Sequence, residues 1–212
     1  MEISTKLAGY LLQIKAIIID PANPFTWSSG WKSPIYCDNR KTLSYPEIRD
    51  FIRDQLAGLI RNRFGLPDMI AGVATGAIAQ GALVADKLHL PFLYVRSSVK
   101  DHGTGNIIEG DVAAGKSVVV VEDLISTGGS SLRAADALSN AGLNVLGMVA
   151  IFTYGFKTAE DNFRKAGVTL YTITDYYALI KHGVSSGYVQ PQFLETLKEW
   201  REDPDKWGKN FN

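Results

Sequence analysis

Val118-Val119-Val120-Val121-Glu122-Asp123-Leu124-Ile125-Ser126-Thr127-Gly128-Gly129-Ser130-Ser131 decides how this chain folds. Four β-branched residues in a row read as a strand buried on both faces, as in the middle of a parallel sheet. Two adjacent carboxylates follow where that strand is expected to end. A small-residue turn comes next, and Leu132 to Leu138 is strongly helix-forming. Strand, acid pair, loop and helix in that order place free N–H groups and hydroxyls at a helix N-terminus, where a phosphate binds well. Paired carboxylates would repel that phosphate unless a divalent cation or sugar hydroxyls stand between them. A phosphorylated sugar carrying Mg²⁺ satisfies both halves. A plain helix N-cap, with acids favoured near the dipole, explains neither the pairing nor the loop length.

Downstream, Gly142 caps that helix, Val145 to Thr153 is a strand, residues 157–166 are a helix closed by Gly167, and Val168–Thr174 is a last parallel strand. Upstream, Met69–Val73 is a buried strand. Its loop, Ala74-Thr75-Gly76-Ala77, opens a small-residue helix through Ala85 that can approach the sheet closely. Pro91–Val95 is a further strand with Arg96 at its end. Strand and helix alternate from residue 69 onward, which predicts an α/β fold: an open, mostly parallel twisted sheet flanked by helices. Such sheets bind ligands at the C-terminal ends of their strands, where Thr75, Arg96 and Glu122-Asp123 all fall.

Residues 97–106 lack periodicity, and Lys100 and His102 add cations to Arg96. A mobile loop carrying cations suits an anionic leaving group, open for entry and closed against water. The competing reading is a charged surface loop. Gly110 to Ser117 literally satisfies the G-x-x-x-x-G-K-S nucleotide pattern. A working P-loop follows a strand and opens a helix, whereas this one runs into the Val118 strand with Lys116 at the wrong edge. ATP and GTP binding are rejected.

Nearer the start, Leu7, Leu11, Ile14 and Ile18 fall at helical spacing, so residues 3–18 read as an amphipathic helix rather than a signal peptide. Pro21 to Arg40 is broken by turn residues into two short strands, Phe25–Trp27 and Ile35–Cys37, expected to pair antiparallel. Its aromatics form a small N-terminal hood, about residues 1–45, that suits a planar base but equally a core or dimer contact. Ser44-Tyr45-Pro46-Glu47 reads as a capping box opening a helix to Phe64. Pro191 to Trp207 reads as a short amphipathic helix without chemistry.

At 212 residues the chain fits one domain, long enough to bury roughly 70% of its unfolded surface. Lys+Arg and Asp+Glu balance at 22 each, which gives no reason to expect nucleic acid or an anionic membrane as partner. No apolar run reaches the length of a membrane span. The single cysteine, Cys37, excludes an intrachain disulfide, suits a reducing cytosol, and reads as a half-buried hydrophobe in a strand. His89 and His182 are isolated, and no Cys/His cluster has zinc spacing.

The Val118–Ser131 stretch resembles the phosphoribosyl-pyrophosphate (PRPP) signature of type I phosphoribosyltransferases, and Glu-Asp-Leu-Ile-Ser-Thr-Gly-Gly-Ser most resembles the orotate phosphoribosyltransferase family. The hood, with Ser29-Gly30 and Ser33-Pro34 followed by Asp38 and Arg40, is similar to that family's hood. Arg96, Lys100, His102 and Gly103 match its catalytic loop, about residues 97–110. The likeness covers about residues 20–180 within a single phosphoribosyltransferase domain, 1–212. It implies transfer from PRPP to orotate, giving orotidine 5′-monophosphate and pyrophosphate, in cytoplasmic pyrimidine synthesis.

The likeness also implies roles. Glu122 and Asp123 hold the ribose hydroxyls and favour a cationic ring. Leu124, Ile125, Ser126, Thr127, Gly128, Gly129 and Ser130 wrap the 5′-phosphate, with Ser126 also touching orotate. Arg96, Lys100 and His102 receive the leaving group, and Arg96, Lys100, His102 and Asp123 form the catalytic set. Mg²⁺ binds mainly through PRPP, with no direct protein ligand assigned. A homodimer is implied, with the loop and Lys100 acting across the interface. Three departures stand out: Ser28 and Ser97 occupy places where members carry lysine, and the Tyr154-Gly155-Phe156 turn lacks the orotate-binding arginine some members have. A purine transferase and a PRPP-sensing nucleic-acid regulator are the alternatives. The Ser126 loop with the hood opposes the first, and the zero net charge the second.

Overall fold

The computed structural model describes residues 2–97 and 107–208. Ten strands and eight α-helices are found among them. At the centre lies β8 (Ser117–Ile125), flanked by β5 (Met69–Val73) and β9 (Asn144–Thr153). The six-stranded sheet continues through β10 (Leu170–Asp175) on one side and through β6 (Phe92–Val95) and β7 (Ile108–Glu109) on the other. Every pairing is parallel except β7 on β6.

The four valines of β8 are completely buried, and their alternation builds both layers. Val119 and Val121 pack toward α1 (Ile3–Gln13), α2 (Pro46–Phe64) and α3 (Ile78–Leu88). Val118 and Val120 face Ala134 and Leu138 of α4 (Gly129–Asn140) and Phe163 of α5 (Lys157–Ala166). Burying each valine contributes about 1.5–3 kcal/mol. The small-residue α3 comes close to its strand as expected: a Cβ on Gly81 would meet the Gly72 Cα at 3.2 Å.

After β5 the chain moves outward to β6, then returns to the other side of β5 as β8. That reversal opens a crevice at the C-terminal ends of β5 and β8, where open α/β sheets bind ligands. No described helix is long and apolar enough to cross a membrane.

Several boundaries differ from the sequence reading. The first helix ends at Gln13, Lys15 adopts a positive φ of 53°, and Ile17–Ile19 forms β1. Its β-branched run favours an extended chain over another helical turn. β1 pairs antiparallel with β4 (Ile35–Cys37), while β2 (Phe25–Thr26) pairs with β3 (Lys32–Ser33), so the two expected hood strands are not each other's partners. Tyr45, not Ser44, is the N-cap of α2 and gives no side-chain cap; a 3₁₀ turn over Asn39–Ser44 absorbs the serine. Proline at the helix start suffices. The acid pair lies inside β8 rather than after it, because pairing with β9 carries the strand on to Ile125. Within the expected loop, Ile108 and Glu109 form β7 on the sheet edge. The tail splits at Asp203 into α7 (Leu194–Glu202) and α8 (Pro204–Trp207). Asp175 caps α6 (Tyr176–Ser185), accepting from the Ala178 N–H at 2.9 Å.

Candidate active site

Two cavities meet at the C-terminal end of β8. The first, about 280 Å³, lies between the 73–76 turn after β5 and residues Glu122 to Ser131. The second, about 500 Å³, lies beneath the hood, between Trp27, Tyr36 and Arg40 on one side and Tyr154 on the other. Leu124 and Ser126 line both.

The smaller cavity is shaped for an anion. Among the described residues, the N–H groups of Ser126 through Ser130 donate to no carbonyl of the loop, and the last of them begin α4. Amides left free at a helix start carry partial positive charge. Gly128 sits at φ 80°, and a Cβ there would come within 2.7 Å of the Phe163 ring. The bend therefore needs glycine twice over, once for its dihedral and once for room. Asn162 Nδ2 holds the loop from behind by donating to the Thr127 carbonyl at 3.0 Å.

The two acids are not equivalent. Glu122 is buried; its Oε2 accepts from Ser131 Oγ at 2.7 Å and its Oε1 from the Asp123 N–H at 2.9 Å. Burial, reinforced by the Asp123 charge, pushes the Glu122 carboxyl well above its ordinary range. Asp123 lies beside it, with its carboxylate against Gly76 in the cleft. Burial raises its pKa as well. Burial thus favours the neutral form of both carboxyls, and hydroxyl or cationic partners would favour their ionisation.

Arg96 ends β6, and its N–H donates to the Ile107 carbonyl at 2.7 Å. Among the described residues its buried Nη1 finds no hydrogen-bond partner, with Glu109 Oε1 3.6 Å away. Arg96 shares a narrow cleft with Ser130, at the end of the 126–130 loop. The structure thus brings Arg96, Glu122, Asp123, Leu124, Ser126, Thr127, Gly128, Gly129 and Ser130 to one end of the sheet. The Ile125 side chain turns into the core instead. Lys100 and His102 lie outside the described residues.

The hood is both core and cavity wall. Trp27 packs on Tyr154 at 5.0 Å between ring centroids and edge-on against the buried Trp200 at 5.8 Å, while its other side lines the larger cavity. Asn39 fastens the hood to the sheet, its Nδ2 donating to the Asp123 carbonyl at 2.7 Å. Cys37 is half-buried in β4, and burial pushes its thiol pKa up, as suits an inert hydrophobe.

Three residues at the site carried no assigned role in the sequence reading: Arg40 in the hood cavity, Asn39 beneath it, and Arg201 from α7. Arg201 Nη2 donates to the Gly155 carbonyl at 2.7 Å and its Nε to the Tyr154 carbonyl at 3.3 Å, bracing the turn that floors the hood cavity. A polar residue in an amphipathic tail gives no local sign of a contact 46 residues away.

Comparisons with known proteins identify the family. A family model described as "Phosphoribosyl transferase domain" matches residues 42–180. The chain is 59% identical over 202 residues to an orotate phosphoribosyltransferase of Porphyromonas gingivalis, covering 95% of this chain and 96% of the relative. It is 51% identical over 209 residues to one from Listeria monocytogenes, covering 99% and 100%. A crystal structure of orotate phosphoribosyltransferase from Aeropyrum pernix superimposes with a TM-score of 0.75 at 28% identity, covering 87% of this chain and 99% of that one. With cleft, hood and relatives in agreement, the chain belongs to the orotate phosphoribosyltransferase family of phosphoribosyltransferases.

Proposed function

We propose that the protein transfers the ribose 5-phosphate group of PRPP to orotate, giving orotidine 5′-monophosphate and pyrophosphate in pyrimidine synthesis. The observation that carries this is the meeting of an anion-binding cleft and an aromatic cavity at Leu124 and Ser126. A sugar phosphate in the first would present its anomeric carbon to a flat base in the second.

Displacement at that carbon places positive charge on the ribose ring and negative charge on the departing pyrophosphate. Asp123 would accept from the ribose hydroxyls and favour the cationic ring. Glu122 would act from behind, fixing Ser131 and the start of α4. The free amides of the loop, with the Thr127 and Ser130 hydroxyls, would bind the 5′-phosphate. Arg96, with Lys100 and His102, would receive the leaving group. Preplaced charge of this kind is the main source of rate, and no covalent nucleophile is needed.

Among the described residues no group of three or more potential metal ligands forms. Glu122 has both oxygens engaged, which leaves Asp123 as the oxygen donor at the cleft. Mg²⁺ commonly takes one or two carboxylates, with waters and substrate phosphates, so this donor set fits an ion carried chiefly by PRPP. Such an ion would neutralise charge on the leaving pyrophosphate. A homodimer sharing Lys100 between active sites, in the cytoplasm, completes the proposal and rests on family resemblance.

Orotate consumption matched by pyrophosphate release tests the reading. Asp123→Asn should lower turnover by about 10²–10³-fold, the scale of losing one preplaced electrostatic group. Lys100→Ala should cut turnover by orders of magnitude while PRPP binding largely persists. Unchanged turnover in either variant removes that residue from the mechanism.

A further inference from the structure

We propose that Arg40 holds the carboxylate of the base in the hood cavity and so selects orotate over uncarboxylated pyrimidines. The inference rests on the proposed function and gives the larger cavity its specificity. Among the described residues lining that cavity, Arg40 is the one that carries a charge. The walls around it are aromatic, hydroxyl or apolar, and so suit a flat heterocycle without distinguishing one from another.

The guanidinium is already oriented. Its Nε donates to Asp38 Oδ1 at 2.7 Å and its Nη2 to Asp38 Oδ2 at 3.1 Å. Asp38 Oδ1 also accepts from the Arg40 backbone N–H at 3.2 Å, so the acid is fixed from the same turn. This engages the Nε–Nη2 edge and leaves the Nη1–Nη2 edge for a second, incoming carboxylate in bidentate geometry. The opposing charge of Asp38 raises the Arg40 pKa, and the side chain is 58% exposed, so solvent and ligand both reach it. Arg40 lines the same cavity as Leu124 and Ser126, which also border the cleft of the acid pair. A base with its carboxylate on Arg40 and one edge on Ser126 spans the cavity from hood to phosphate loop. The Tyr154–Phe156 turn offers no arginine for that task.

The test is steady-state kinetics on the full-length protein with Arg40→Ala, Arg40→Gln and Arg40→Lys. The KM for orotate should rise about 10- to 100-fold in the first two, the scale of a lost charge-assisted bidentate contact. The KM for PRPP and the thermal midpoint should hold, and Arg40→Lys should recover part of the loss. Uracil, the same ring without the carboxylate, should compete equally well against wild type and Arg40→Ala. Wild-type turnover of orotate beside an unchanged orotate KM in Arg40→Ala overturns this assignment alone. A matched rise in both substrates' KM also overturns it, since that is a general loosening of the site. A wild type that consumes no orotate overturns the proposed function, and the assignment with it.

Discussion

Glu122 accepts a 2.7 Å hydrogen bond from Ser131, and this one contact ties the end of the central strand to the first turn of the helix that follows it. The buried acid is therefore part of the frame that holds the 126–130 loop. It also makes the ligand-free protein sensitive to pH. Burial raises the folded-state pKa of Glu122 above its unfolded value. For a carboxyl the stability linked to that shift is fully present below the unfolded pKa and is lost as pH rises through the folded one. The thermal midpoint of the ligand-free protein should fall over that window, and Glu122→Gln, which takes up no charge, should flatten the fall. Melting curves across the window check this; parallel curves for the two proteins would contradict it.

Gly128→Ala should destabilise the protein and weaken PRPP binding together. The residue holds φ at 80° and faces the Phe163 ring, and strain of this kind costs about 1–3 kcal/mol. Thermal melts with and without PRPP measure both effects, and a variant with normal stability and normal PRPP stabilisation would refute the claim.

Arg201→Ala should loosen the turn under the hood cavity, because two carbonyls lose their charged donor. A hydrogen bond from a charged group contributes about 1.5–3 kcal/mol, so a lowered thermal midpoint should accompany a raised KM for orotate. Circular dichroism melts and kinetics on one preparation measure the pair of effects. An unchanged midpoint would show that the brace is dispensable.

Lys116→Ala should leave transferase activity intact, and ATP should not stabilise the wild type. Lys116 pairs with Asp68 at 3.1 Å, at the opposite end of β8 from the cleft. Asp68 also accepts from the Ser117 backbone N–H at 2.8 Å and the Ser117 hydroxyl at 2.7 Å, which with Lys116 hold its pKa at about 2. Folding lowers this pKa, so the linked stability is present above the unfolded carboxylate value and is lost as pH falls through the folded one. The G-x-x-x-x-G-K-S match is thus the staple at the start of the strand. Thermal shifts with ATP and transfer assays on the variant check it.

These residues also show what the sequence makes legible. The central strand announces itself because burial on both faces demands β-branched residues at every position, and the loop after it because amides can crowd a phosphate only where side chains are small. The helix over residues 157–166 is legible through its terminal Gly167, which takes φ 67°. Pairings set by distant contacts are not. Ile17–Ile19 extends a helical pattern on paper, and only its partner Ile35–Cys37 makes it a strand. Arg40 and Arg201 look like solvated charges in sequence, and only the cavity wall and the Tyr154–Gly155 carbonyls give them work.

The most direct test of the central claim is base selectivity. Purified protein is given PRPP and Mg²⁺ with orotate, uracil, hypoxanthine or adenine in turn, following base consumption and pyrophosphate release. Turnover with orotate alone is the predicted result. Turnover with a purine would contradict the hood cavity as an orotate site, and PRPP-dependent thermal stabilisation without turnover of any base would contradict the enzyme itself.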